Sequence, residues 1–174
     1  ATTQNQIQSQ GAISVENAAS FDNSDGKILA NGDITLALMD GLLTNTRGWI
    51  ESGSDLGISG VSEIHNEDGA LRASKNLTLY LPFFDRAASG GQYSAAEQLA
   101  IHATNGMLFS GEEFTTPGGL LLDAGAGDIQ LDSRVLGGAA TILNGRTVTI
   151  GDDGFLATQG ALTVASDSLT NLGV

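Results

Sequence analysis

The sequence predicts an all-β protein, a right-handed parallel β-helix (a solenoid) of about eight rungs with roughly 21 residues each. Three observations lead to this fold class. Short apolar segments recur at a nearly constant interval, their apolar residues alternate with a period of two, and Gly, Asn, Asp and Ser separate them. A period of two is typical of β-strands, and those four residue types are typical of turns. Two or three short strands repeated at this interval would form one rung of a solenoid.

The first half of the chain shows the repeat most regularly. Each unit opens with an apolar-x-small triplet, and an apolar-x-apolar triplet begins six positions after the first apolar residue. The opening positions of the first five units are Ile7, Ile28, Ile50, Leu71 and Tyr93, so the units begin at nearly equal intervals. The second triplets begin at Ile13, Ile34, Leu56, Leu77 and Leu99. We expect these second positions to face inward and to stack into one apolar column.

The second half of the chain follows the pattern less closely. Similar triplets open at Leu122, Ile142 and Leu156, so the unit that starts at Tyr93 would run to Leu121, well beyond the ordinary interval. Residues 80–86 also lack the Asn-x-x-Gly motif of the earlier rungs. Together, these two breaks predict an irregular section at residues 80–119 with a loop insertion. In a solenoid, function is often located where the repeat is interrupted.

A second motif, apolar-x-Asn-x-x-Gly, follows each of the first three strand pairs. Its asparagines are Asn23, Asn45 and Asn66, and its glycines are Gly26, Gly48 and Gly69. A side-chain amide that recurs once per rung can form a ladder of hydrogen bonds, so we predict a structural role for the asparagines. The glycines are expected to supply a left-handed backbone position. The alternative is that these residues simply favour turns.

Composition and charge limit the classes of function. The chain has 174 residues, of which 41% are hydrophobic and 5% aromatic, so we expect one domain with an aliphatic core. With 20 acidic and 7 basic residues, the net charge of −13 argues against nucleic-acid binding. No apolar run approaches the roughly 20 residues that a membrane-spanning helix needs. Cysteine is absent, which removes disulfides and thiolate metal ligands.

Motifs for catalysis and metal binding are missing from the sequence. Two carboxylate pairs, Asp22 with Asp25 and Asp152 with Asp153, lack the spacing of a calcium loop. His65 and His102 are isolated and have no nearby ligand pattern. We therefore predict no catalytic residue, no metal site and no cofactor. A polysaccharide-degrading enzyme is the least favoured alternative, kept because many β-helices belong to that class.

Residues 28–36 and 162–171 resemble the repeats of filamentous haemagglutinin, which belong to two-partner secretion exoproteins of Gram-negative bacteria. The resemblance is best at 7–79 and 142–171. It implies export through an outer-membrane transporter partner and display at the cell surface as a β-helical fibre. The family includes adhesins, cytolysins and contact-dependent growth inhibition exoproteins. Because no Asn-Pro-Asn-Gly motif is present, residues 1–174 are expected to be a single β-helical segment of a longer exoprotein, outside its secretion domain.

Aromatic residues are concentrated in the irregular section. Aromatic side chains on a rigid scaffold are good anchors for a protein or glycan partner. The candidate receptor contacts are Tyr80, Phe83, Phe84, Arg86, Tyr93, Phe109 and Phe114. Two adjacent phenylalanines cannot face the same side of a strand, so one of Phe83 and Phe84 is expected at the surface. The alternative is that the aromatic residues fill a wider part of the core and that the segment is a fibre shaft without its own ligand.

Overall fold

The computed structural model of the protein describes residues 5–172, apart from the side chains of Ser89, Glu112 and Glu113. Within this range the chain forms a parallel β-solenoid of about 8 turns with about 21 residues per turn, which confirms the predicted fold class. In chain order the elements are β1 (Gln6–Ser9), β2 (Ile13–Asp22), β3 (Lys27–Ala30), β4 (Ile34–Thr44), β5 (Trp49–Ser52), β6 (Leu56–His65), β7 (Ala70–Ala73), β8 (Asn76–Leu81), α1 (Arg86–Ser89), β9 (Gln92–Ala95), β10 (Gln98–Ala103), β11 (Met107–Thr115), β12 (Gly119–Asp123), β13 (Ile129–Gly137), β14 (Ala140–Asn144), β15 (Thr147–Ile150), β16 (Phe155–Thr158), β17 (Ala161–Ala165) and β18 (Ser168–Asn171).

The strands form two parallel sheets that the chain visits in turn. The first sheet has the order β1-β3-β5-β7-β9-β11-β13-β15-β18, with β16 also paired to β13. The second sheet has the order β2-β4-β6-β8-β10-β12-β14-β17. Each strand therefore pairs with a strand of the neighbouring rung, and each turn of the solenoid contributes one layer of the core.

The register of the strands aligns equivalent apolar residues into columns. In the first sheet the column is Ile7, Ile28, Ile50, Leu71, Tyr93, Phe114, Val135 and Leu156. In the second sheet it is Ile13, Ile34, Leu56, Leu77, Leu99, Leu120, Thr141 and Leu162. The predicted inward column is confirmed, because its central members are fully buried.

The structure corrects the position of the repeat in the second half. Tyr93 pairs with Phe114, one ordinary repeat interval further along the chain, so this rung has no loop insertion. Leu122 and Ile142 lie in the second sheet and do not open a rung. The error arose because alternation with a period of two does not reveal which sheet a strand belongs to. A register shift between Gly111 and Phe114 also breaks the alternation.

Each rung has a third side, and its connection to the two sheets changes along the rod. In β2, β4 and β6 the strand continues onto the third side past a bend, where Asn17, Asp40 and Gly60 have positive φ. In β11 and β13 the third side instead runs on into the first sheet, past the shift at Gly111. Before α1, the bend leads onto the third side, and a sharp corner that begins at Asn23, Asn45 or Asn66 leads back to the first sheet. After α1 this order is reversed, because the sharp corner precedes β11 and the bend lies within it.

Helix is restricted to α1 among the described residues. No helix in residues 5–172 has both the length and the apolar character that crossing a membrane requires.

Candidate functional site

The three predicted ladder asparagines are stacked and hydrogen-bonded in series at the sharp corner. Nδ2 of Asn23 donates to Oδ1 of Asn45 over 2.7 Å, and Nδ2 of Asn45 donates to Oδ1 of Asn66, also over 2.7 Å. Asn45 also donates to the carbonyls of Gly48 and Ala70 at 3.3 Å. All three asparagines are buried. Their side chains therefore tie three successive corners together.

The glycines of these corners have a different role from the one expected. The left-handed residues are Asp25, Arg47 and Asp68, each one position before the glycine. Glycine is required because a Cβ at Gly48 would lie 2.3 Å from the Asn23 carbonyl oxygen and 2.4 Å from Asn45 Oδ1. The motif thus provides space for the ladder and for the close approach of neighbouring rungs.

The ladder ends at the fourth rung, where α1 replaces the corner. Asp85 accepts a hydrogen bond from the Ala88 N–H and caps this turn of helix. The Tyr93 hydroxyl donates to the Ala88 carbonyl. Burial raises the pKa of Tyr93, so its hydroxyl remains a donor at all ordinary pH values. The Tyr93 hydroxyl thus bonds to the helical turn that replaces the asparagine corner at this rung.

Four of the predicted receptor contacts are in the core, which corrects their expected role. Phe84, Tyr93, Phe109 and Phe114 are at most 1% exposed. The ring centroids of Phe84 and Phe109 are 4.8 Å apart, and those of Tyr93 and Phe114 are 5.0 Å apart. Ring pairs at these distances pack favourably, and the four side chains fill the core of this section. These four residues are therefore not available as surface contacts.

Three of the predicted contacts lie at the surface. Tyr80 is 52% exposed and Phe83 is 42% exposed, whereas the adjacent Phe84 is fully buried, which confirms that one of the two phenylalanines faces outward. Arg86 is exposed at the start of α1. Phe83 lies against Gly106 of the next rung, where its Cε2 would be 3.1 Å from an added Cβ.

Tyr80 begins a row of polar and aromatic side chains on the outer side of the second sheet. Its ring stacks on His102 with 4.7 Å between centroids and an interplanar angle of 8°. His102 Nδ1 lies 3.2 Å from Asp123 Oδ2, and Asn144 Nδ2 donates to Asp123 Oδ1 over 2.8 Å. The sequence reasoning missed this row, although its members are separated by the repeat interval.

The carboxyl group of Asp123 is held in its ionised form. Burial raises its pKa, but hydrogen bonds from the Gly125 N–H, His102 and Asn144 together outweigh that effect and leave the pKa below the usual value. The row is therefore a fixed polar surface with an exposed aromatic ring at one end.

A shallow groove runs beside this row, along the corner where the second sheet turns onto the third side. We call it the corner groove. It consists of three depressions of about 240, 270 and 480 Å³ that share lining residues. Its lining includes Phe83, Asn105, Ala126, Asp128, Gln130, Asn144, Arg146 and Asp167. Because glycines occupy positions 106, 125, 127 and 145, side chains do not fill the corner.

An ion pair crosses the middle of the corner groove. Arg146 donates through Nε and an Nη to the two oxygens of Asp128, at 3.0 and 2.6 Å. Thr147 Oγ1 also donates to Asp128 over 2.8 Å. The hydrogen bonds from Arg146 and Thr147 lower the pKa of Asp128 to about 2. Both charges are thereby fixed in position at the surface.

Trp49 was also missed by the sequence reasoning. The Arg72 guanidinium is 4.1 Å from its ring centroid, and Lys27 Nζ is 5.6 Å from it. The indole N–H donates to Glu51 Oε2 over 2.8 Å. Since cations from the preceding and following rungs approach the ring, Trp49 contributes to packing on the outside of the first sheet.

Comparison with protein-family models, with curated proteins and with solved structures finds nothing that matches this chain.

Proposed function

We propose that the protein is a rigid β-solenoid segment of a secreted adhesin-type exoprotein. It is displayed at the surface of a Gram-negative bacterium, has no catalytic activity of its own, and binds a receptor on another cell. Export through an outer-membrane transporter partner is part of this proposal and rests on the resemblance of the repeats to filamentous haemagglutinin. The solenoid fold supports the proposal, because a stack of rungs makes a stiff rod that holds a binding surface away from its anchor.

The exposed pair Tyr80 and Phe83 is the observation that carries the receptor-binding part. Both side chains lie on one short segment and rest on residues 102–106 of the next rung. Large aromatic side chains that are held rigidly at a surface are common energetic centres of interfaces. The other described aromatic side chains of residues 80–119 are buried, so Tyr80 and Phe83 are the aromatic side chains of this section that a partner can reach.

The second candidate function is that of a fibre shaft without a ligand. One observation favours it: four of the seven predicted contact residues form a continuous aromatic core. In this case the segment supplies length and stiffness, and binding belongs to other parts of the exoprotein.

Binding of the fluorescently labelled protein to intact epithelial and bacterial cells distinguishes the two candidates. The test variant is the double substitution Tyr80→Ser with Phe83→Ser. The matched control is Met39→Ser, because Met39 is an apolar side chain that is 58% exposed in the first half of the rod. Receptor binding predicts that wild type and Met39→Ser label one of the cell types and that the double variant loses at least nine-tenths of the signal. No labelling by any of the three supports the shaft, and equal labelling by all three would contradict binding through Tyr80 and Phe83.

A further inference from the structure

We propose that the corner groove binds an uncharged oligosaccharide that lies along the axis of the rod. This inference rests on the proposed receptor-binding function and names the chemical class of the receptor. The groove begins at the exposed ring of Phe83, so it is continuous with the surface that carries that function.

The shape of the groove suits an extended chain. Its lining residues come from five successive rungs, from Phe83 at one end to Asp167 at the other. Neighbouring strands are about 4.8 Å apart, so the groove is roughly 19 Å long. Its three depressions are shallow and joined, and none of them encloses a compact ligand. A linear chain of several sugar rings would contact all of them.

The chemistry of the lining suits hydroxyl groups. The side-chain amides of Asn105, Gln130 and Asn144 both donate and accept, as sugar hydroxyls do. The paired charges of Asp128 and Arg146 add two acceptors and further donors in fixed positions. At the end of the groove the Phe83 ring offers an apolar face on which the C–H face of a pyranose can pack.

The charge of the groove disfavours binding of acidic oligosaccharides. Arg146 is already paired with Asp128, and Asp167 and Asp123 add negative charge on the same side of the rod. The whole chain carries a net charge of −13, which would repel sulfated or carboxylated saccharides further.

Main-chain hydrogen bonding disfavours a peptide as the occupant. The Gly127 N–H donates to the Ala124 carbonyl, the Arg146 N–H to the Gly127 carbonyl, and the Asp167 N–H to the Arg146 carbonyl. The backbone of these described turns is thus used within the corner and by the neighbouring rungs, and it leaves no free strand edge for an extended peptide to join.

A carbohydrate array tests the proposal directly. The probes are immobilised uncharged hexasaccharides (maltohexaose, cellohexaose, mannohexaose and N-acetylchitohexaose), together with acidic oligogalacturonate and heparin fragments and a random peptide library. We expect binding to at least one uncharged probe and none to the acidic probes or to the peptides. Binding that is confined to acidic saccharides or to peptides would overturn the inference, as would the absence of any binding.

A variant in which a large side chain fills the groove tests whether the saccharide binds there. Ala126 is exposed in the middle of the groove, so Ala126→Trp should block it and weaken binding to the uncharged probe at least tenfold. The control is Ala96→Trp, at an exposed corner outside the groove, which should leave binding unchanged. Equal binding by both variants would show that saccharides attach elsewhere and would overturn the inference. If cells are still labelled through Tyr80 and Phe83 while no saccharide binds, the saccharide inference fails and receptor binding stands.

Discussion

Replacing Asn45 by alanine tests whether the buried ladder stabilises the solenoid. The substitution removes the 2.7 Å donor to Asn66 Oδ1, a fully buried acceptor, and the 2.7 Å acceptor of Asn23 Nδ2. Asn23 keeps two longer contacts, at 3.4 Å, to the carbonyls of Gly26 and Trp49. An unsatisfied buried polar group costs about 1–3 kcal/mol, so one orphaned acceptor and one weakened donor should together cost about 3 kcal/mol.

The assay is urea unfolding of the wild type, Asn45→Ala and the control Asn31→Ala, followed by circular dichroism. Asn31 is exposed, and its amide donates to Gln10 Oε1 at the surface, so this control should change the free energy of unfolding by less than about 0.5 kcal/mol. Similar losses for the two variants would refute the ladder as a source of stability. A loss below about 1 kcal/mol for Asn45→Ala would do so as well.

Three further predictions follow from individual side chains. Phe84→Ala should lower the free energy of unfolding by about 3–5 kcal/mol, and Phe83→Ala by less than about 0.5 kcal/mol; similar melts would contradict the burial of Phe84. The hydrogen bond that His65 Nε2 donates to the Glu63 carboxylate raises the pKa of His65, so the stabilisation from this pair is present below pH 6.5 and is lost as pH rises through the folded pKa. His65→Gln should therefore destabilise the protein more at pH 5 than at pH 8 in urea melts, by less than about 1 kcal/mol. Asp128, with a pKa of about 2, should show no carboxyl titration by NMR between pH 3.5 and 7.

The regular part of the fold was predictable because its cause repeats in the sequence. A column such as Ile34, Leu56 and Leu77 needs one apolar residue at the same point of every rung. Apolar residues therefore recur in the sequence at the interval of one rung. The asparagine ladder was predictable for the same reason, since Asn23, Asn45 and Asn66 must occupy equivalent corners to reach one another.

The change at the fourth rung was not predictable from spacing. The replacement of the corner by α1 and the exchange of corner and bend depend on how the rings of Phe84, Tyr93, Phe109 and Phe114 pack together. A cluster of aromatic residues looks the same in sequence whether it fills a core or covers a surface. Only the alternation at Phe83 and Phe84 distinguished the two environments, and it did so for that pair alone.

Part of the candidate site could have been found with the repeat interval. Tyr80, His102, Asp123 and Asn144 lie in register, so spacing alone would have placed them in one row. The corner groove could not have been found in this way, because its depth comes from glycines whose position relative to the sheets depends on the exchange of corner and bend at α1.

Site-specific photo-crosslinking tests most directly whether the Tyr80 and Phe83 surface contacts a receptor. A benzophenone amino acid is placed at position 80 in one sample and at position 39 in another, and each protein is irradiated on the cells that it labels. Both positions are exposed on the same rod, so the two samples differ in the part of the surface that carries the crosslinker. Receptor binding through this surface predicts a covalent adduct with a cell-surface component from position 80 and none from position 39. Adducts of equal yield from both positions, or an adduct from position 39 alone, would contradict it.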